Sequence, residues 1–178
     1  NLFNIDVPGE ASLIYERGRE RITVDNNSAS LKSTLNRWRS QASISFMKTF
    51  NWELSDRISL IGEFFYNEKG YNENIFNLPA AKDLLLNNNL YEANYYGKYY
   101  GALFASINKF PLTDTTLNFN AISNISDTSY VFITGLNYEP VDHFTISTNL
   151  NWFGGPPAAE YTYLGYGLAA DIFTTIIF

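Results

Sequence analysis

The chain has no cysteine, which excludes disulfides, thiol catalysis and thiolate metal sites. It has one histidine, His143, so no two-histidine metal spacing exists, and no glycine-rich phosphate loop occurs. No apolar run reaches the roughly 18 residues that a spanning helix needs. Charge is scarce, at 17% of residues against roughly 25% in ordinary globular domains. The net charge of −6 argues against nucleic acid as a partner. The chain opens on Asn1 rather than Met, with no basic-then-apolar leader, which predicts a processed chain or a fragment.

Aromatics, by contrast, are abundant: 13 Tyr, 14 Phe and 3 Trp in 178 residues. That load suits aromatic girdles at two membrane interfaces. Mean hydropathy is only −0.17, as expected where half of each strand meets lipid. Apolar side chains recur at every second position along most of the chain. Trp38, Ala42, Ile44, Phe46 and Phe50 share one face, with Arg37, Arg39, Gln41, Ser43 and Ser45 opposite. The same alternation predicts strands over 57–67, 95–110, 115–125, about 130–138, 144–153 and 164–178. A weaker one over 9–17 is broken by Ile14. Short turns are expected at 51–56, 111–114, 126–128 and 139–142, the last around Pro140. Long connections are expected at 18–36, 68–94 and 154–163, with a short helix at about 78–86 that takes Pro79 in its first turn.

The polar faces carry Asn, Ser, Thr and Gly rather than Lys and Glu. Such groups suit a hydrated or packed interior, which leaves the apolar face to lipid, where charge is costly. The expected fold is all-β, an antiparallel up-and-down transmembrane β-barrel with about eight strands in this chain, as a single domain over 1–178 or the C-terminal segment of one. Closure is expected because an open edge in lipid leaves backbone groups unpaired. Phe50, Trp52, Phe110, Tyr138, Phe144 and Phe178 would form one girdle, and Tyr66, Tyr95, Tyr130, Trp152 and Tyr166 the other. A soluble barrel with its apolar face inward is the competing architecture.

The lumen-lining candidates are Arg37, Arg39, Ser43, Glu63, Lys98, Asn118, Asn120, Asn149, Asn151 and Asp171. Their charges either bias which solutes pass or pair inside a narrow, filled barrel, Arg39 with Glu63 for example. Ile75, Phe76, Leu84 and Leu85 make the long loop too apolar to be free; it either constricts the mouth or packs on the rim. His143, beside Asp142, reads as a solvated turn residue. No catalytic group and no cofactor is expected.

On the final strand Tyr166, Leu168, Ala170, Ile172, Ile176 and Phe178 share a face, with Thr174 the polar exception. A strand of this kind ending in an aromatic resembles the closing strand of outer-membrane β-barrel proteins of Gram-negative bacteria. The run Ile58-Ser59-Leu60-Ile61-Gly62-Glu63-Phe64-Phe65-Tyr66-Asn67-Glu68-Lys69-Gly70-Tyr71 is similar to a segment of porin-like members, in which an aromatic strand ends in an Asn-x-x-Gly-Tyr turn before a long loop. The resemblance covers roughly residues 38–178 and is one of pattern. It implies an outer-membrane location, with the lipid bilayer and lipopolysaccharide as surroundings. It also implies that Phe178 is part of the signal read by the barrel-insertion machinery. The implied function is a porin-like channel for passive passage or export of small solutes. The alternative is a small closed eight-stranded barrel, filled by Phe65, Tyr100, Phe104, Phe153 and Phe173, with a structural, adhesive or envelope-complex scaffold role through its loops.

Overall fold

The computed structural model describes residues 5–25, 28–51, 57–110 and 112–176. The alternating segments form strands: β1 (Gly9–Glu16), β2 (Glu20–Asp25), β3 (Ser28–Ser33), β4 (Arg37–Asn51) and β5 (Arg57–Asn67). A single 3-10 turn (Ile75–Asn77) and helix α1 (Pro79–Asn87) follow, then β6 (Tyr99–Asn108), β7 (Thr115–Asn124), β8 (Ser129–Val141), β9 (Phe144–Gly154) and β10 (Leu168–Ile176). Eight strands make one sheet in the order β1-β4-β5-β6-β7-β8-β9-β10, each antiparallel to its neighbours. The hairpin β2–β3 stands apart as a second, two-stranded sheet.

The sheet does not close: among the described residues β1 and β10 do not pair with each other. This corrects the expectation of a closed barrel within this chain. A closed eight-stranded barrel has a bore just wide enough for side chains. Here Phe173 stays 48% exposed, and Asp171 and Thr175 beside it are exposed. β10 therefore faces no packed interior, and Phe173 fills none.

The register sorts side chains into two faces. Cross-strand pairs Tyr15–Trp38, Ile44–Phe64, Gly62–Leu103, Ala105–Phe119, Phe132–Trp152 and Trp152–Leu168 run across all eight strands on one face. This face is apolar and uncovered. Trp38, Ile44, Phe64, Leu103, Phe119, Phe132, Leu150, Trp152 and Ile172 are all exposed on it. Among the described residues its only charged strand residue is Lys48, close to the end of β4, whose ammonium lies 5.6 Å from the Phe50 ring centroid. The other face carries Ser43, Glu63, Asn118, Asn120, Asn149, Asn151 and Asp171, as the alternation predicted.

Long connections gather at one end of the sheet and pack together. α1 has no side-chain N-cap, so packing holds it. Its Ala81 and Leu85 are buried with Ile22 of β2, with Ile75 and Phe76 of the 3-10 turn, and with Tyr96. Tyr163 stacks on Phe76 at 4.7 Å, and Tyr91 meets Phe76 edge-on at 5.3 Å. Most of the buried apolar residues of the described chain lie in this cap rather than on the sheet.

Four boundaries differ from the sequence expectation, one being the start of β10 at Leu168 rather than residue 164. Residues 18–36 hold the β2–β3 hairpin instead of a plain loop. β6 starts at Tyr99 rather than residue 95, because 95–98 turn into the cap through a Tyr71–Gly97 bridge. β8 runs on through a bulge around Glu139–Pro140 to Val141, where proline's missing N–H costs no ladder bond. The turn is then Asp142-His143, with His143 exposed at φ 69°.

Gly70 and Gly97 bring two backbones together. A Cβ at Gly70 would meet the Gly97 carbonyl oxygen, and one at Gly97 the Asn124 amide. Backbone cannot give way as a flexible side chain can. Gly70→Ala is therefore expected to destabilise the cap by about 1–3 kcal/mol, read as faster amide exchange over 68–98. Unchanged exchange would mean that the close approach is not there.

Candidate functional site

The sheet end beneath the cap holds two polar clusters. The first is built around Glu160, 1% exposed, in the β9–β10 connection. Its Oε1 accepts the Asn94 N–H at 2.9 Å. Its Oε2 accepts the Tyr100 hydroxyl at 2.8 Å and Asn124 Nδ2 at 2.9 Å. Tyr100 in turn accepts the Gly97 N–H at 2.6 Å. Asp127, 4% exposed, accepts the Glu160 N–H at 2.8 Å and the Ser129 hydroxyl at 2.6 Å. One carboxylate thus ties the 68–98 connection, two sheet strands and the 154–167 connection together. Burial pushes Glu160 up to about 7, against the hydrogen bonds from Tyr100, Asn94 and Asn124 that pull it down; Asp127 adds a smaller upward push.

The second cluster is ionic. Arg39 is 2% exposed. Its Nε lies 3.1 Å from Glu16 Oε2 and its Nη1 3.8 Å from Glu68 Oε1. Lys69 Nζ is 3.3 Å from Glu16, and Arg37 Nη2 is 3.7 Å from Glu68. Glu68 accepts the Ser40 N–H at 2.8 Å and its hydroxyl at 2.9 Å. Those bonds, Ser40's N–H first, hold its carboxyl below the ordinary range, and Arg37 adds to them. Arg21 of the hairpin donates to the Lys69 and Gly70 carbonyls at 2.7 and 3.2 Å and covers the Tyr71 ring at 4.5 Å.

The structure therefore brings Arg37 and Arg39 together at the capped end and leaves the other lumen candidates, Lys98 excepted, along the polar face. Arg39 does not pair with Glu63. Glu63 lies opposite Ser45 and is exposed, about 20 Å along the strand from residue 39 at roughly 3.3 Å per residue. Arg39 sits past the β5 pairing, opposite Ile14, within reach of Glu16. Lys98 does not line the polar face. Its ammonium lies 5.8 and 5.9 Å from the rings of Tyr66 and Tyr99, which pair on the apolar face. Tyr95 leaves the expected girdle and stacks on Phe65 at 5.9 Å, on the polar side. Asn151 Nδ2 donates to Asp171 at 2.8 Å, joining two of the candidates. Ile75, Phe76 and Leu85 are buried and Leu84 half-buried, all packed within the cap. Phe178 and Trp52 lie outside the described residues.

Sequence reading missed Glu160, Asp127, Asn124, Glu16 and Arg21 as a set. Each occupies a connection or a strand end; alternation puts Glu16 and Asn124 on polar faces but does not report what they meet. The one hint was an acid, Glu160, between Ala158-Ala159 and Tyr161. Comparison with known protein families, with curated proteins and with solved structures finds no match.

Proposed function

We propose that this chain forms wall of an outer-membrane β-barrel, a porin-like channel for the passive passage or export of small solutes. The observation that carries this reading is the uncovered apolar face. It crosses all eight strands with Lys48 as its only charged strand residue among those described, near a strand end where its ammonium can reach the interface. A patch of this extent in water would drive aggregation; lipid covers it at no cost.

Strand lengths agree. β5, β6, β7 and β9 have 10 or 11 residues, and a tilted strand of about 9–11 residues spans a bilayer. Aromatics collect toward the ends of the apolar face: Tyr15, Trp38, Tyr66, Tyr99, Tyr130 and Trp152 at the capped end, Phe50, Tyr138 and Phe144 at the other. The unpaired edges of β1 and β10 would each leave a row of backbone groups bare in hydrocarbon. Further strands, from the same protein or another copy, therefore complete the barrel and enclose an aqueous lumen against the polar face. The capped end is the outer one, since long loops face outward and short turns face the periplasm. Lipopolysaccharide would surround that rim, and the insertion machinery would read the C-terminal segment that carries Phe178.

The test is extraction followed by reconstitution of the native protein. It is expected to resist alkaline carbonate, to dissolve in detergent and to produce stepwise conductance in planar bilayers. Release by carbonate in a soluble, monodisperse form would overturn the membrane reading. Stable insertion without conductance would overturn the channel.

A further inference from the structure

An open recess of about 740 Å³ lies at the capped end between the β3–β4 connection and the 68–98 connection. Arg21, Arg37, Arg39 and Lys98 line it, with Glu68 as the only lining acid and Asn36 and Asn72 as neutral amides. Glu16, behind Arg39, is shared with Lys69. Four cations, Arg21, Arg37, Arg39 and Lys98, thus line the recess against one carboxylate, in a chain of net charge −6. Such a concentration opposes the field of the whole molecule, and low-dielectric walls focus it. Arg39 bonds Glu16 through Nε, but its Nη1 has no hydrogen-bond acceptor among the described residues, Glu68 Oε1 standing 3.8 Å away. A buried guanidinium N–H without an acceptor is costly.

We propose that this recess binds a phosphate-class dianion, either a dissolved phosphate compound or the phosphate of a lipid headgroup. The half-exposed guanidinium of Arg37 offers donors that match phosphate oxygens, Arg39 adds charge from behind its ion pairs with Glu16 and Glu68, and Lys98 adds a point charge. Three charges in excess suit a dianion better than a singly charged solute. Both sources can reach it. Arg37 and Arg39 stand on the polar face, whereas Lys98 lies over Tyr66 and Tyr99, at the aromatic level of the apolar face. The inference rests on the barrel reading only for placing the recess at the outer rim.

The experiment is calorimetric titration of inorganic phosphate and pyrophosphate into the native protein in detergent. Saturable binding is expected, weakened at least tenfold in the R37Q/K98Q double variant, which leaves buried Arg39 and its bond to Glu16 in place. Lys98→Gln alone, expected to weaken binding about threefold, keeps the test open should the double variant unfold. Competition by dispersed lipopolysaccharide, absent with its dephosphorylated form, assigns the site to a headgroup. No competition assigns it to a dissolved anion. Absence of saturable binding, or equal binding by a variant that melts like the parent, overturns the site. Because the titration needs no conductance, a failed channel reading and a failed anion site remain distinguishable.

Discussion

Leu103→Arg is expected to destabilise the inserted protein by about 2–4 kcal/mol, the cost of a cation at the middle of a lipid-facing strand. Leu103 stands near the centre of β6, 44% exposed, opposite Gly62 on one side and Ala121 on the other. Its neighbours are too small to hide it, so whatever solvent covers that face touches it. In water, replacing a residue this exposed by arginine shifts stability by no more than about 0.5 kcal/mol. The same substitution therefore has two different outcomes depending on the surrounding medium. Denaturant titration in phospholipid vesicles measures it. Asn118→Arg, on the opposite face of the neighbouring strand, is the control and should shift the midpoint little. A Leu103→Arg protein as stable as the parent would remove lipid from that face and the membrane reading with it.

The sheet was legible in the sequence because its information has period two. Trp38, Ile44 and Phe46 against Arg39, Gln41 and Ser43 fix both the strand and its two faces, since a one-residue slip would exchange them. All eight sheet strands follow from that pattern, including β1, where Ile14 breaks the alternation but Tyr15 still falls opposite Trp38. What the pattern cannot supply is curvature or closure. Alternation is the same in an open and in a closed sheet, so the unpaired edges of β1 and β10 had no signature. The cap was hidden for another reason. Its contacts join residues far apart in the chain, such as Phe76 with Tyr163 and Asn94 with Glu160, and no local rule reports a partner 66 residues away. Lys98 shows how narrow the failure is. Counted as part of a strand beginning at residue 95, it falls on the polar face; released from the strand by the Gly70–Gly97 contact, it swings over Tyr66 and Tyr99.

The buried acid at the centre of the cap leads to the second large effect. Three donors, from Asn94, Tyr100 and Asn124, converge on Glu160, yet no cation pairs with it among the described residues. Burial outweighs the donors and raises the carboxyl to about 7 from 4.5. The folded cap therefore binds the proton more tightly than the released loop does. By linkage, the stabilisation is fully present below about pH 4.5 and is lost as pH rises through about 7, a change on the order of 3 kcal/mol. Amide exchange over 88–98 and 154–167 is thus expected to quicken between pH 5 and 7.5, after correction for the intrinsic rate. Glu160→Gln keeps the shape and removes the titration, so its corrected exchange should be flat across that range. Glu160→Ala leaves the three donors without an acceptor, at about 1–3 kcal/mol for each that stays buried, and is expected to release the cap at every pH. A Glu160→Gln protein that keeps the parent's pH profile would place the titrating group elsewhere, in Asp127 or beyond the cap. An Ala variant as protected as the parent would mean that the aromatic cluster of Phe76, Tyr91 and Tyr163 holds the connections down without the carboxylate.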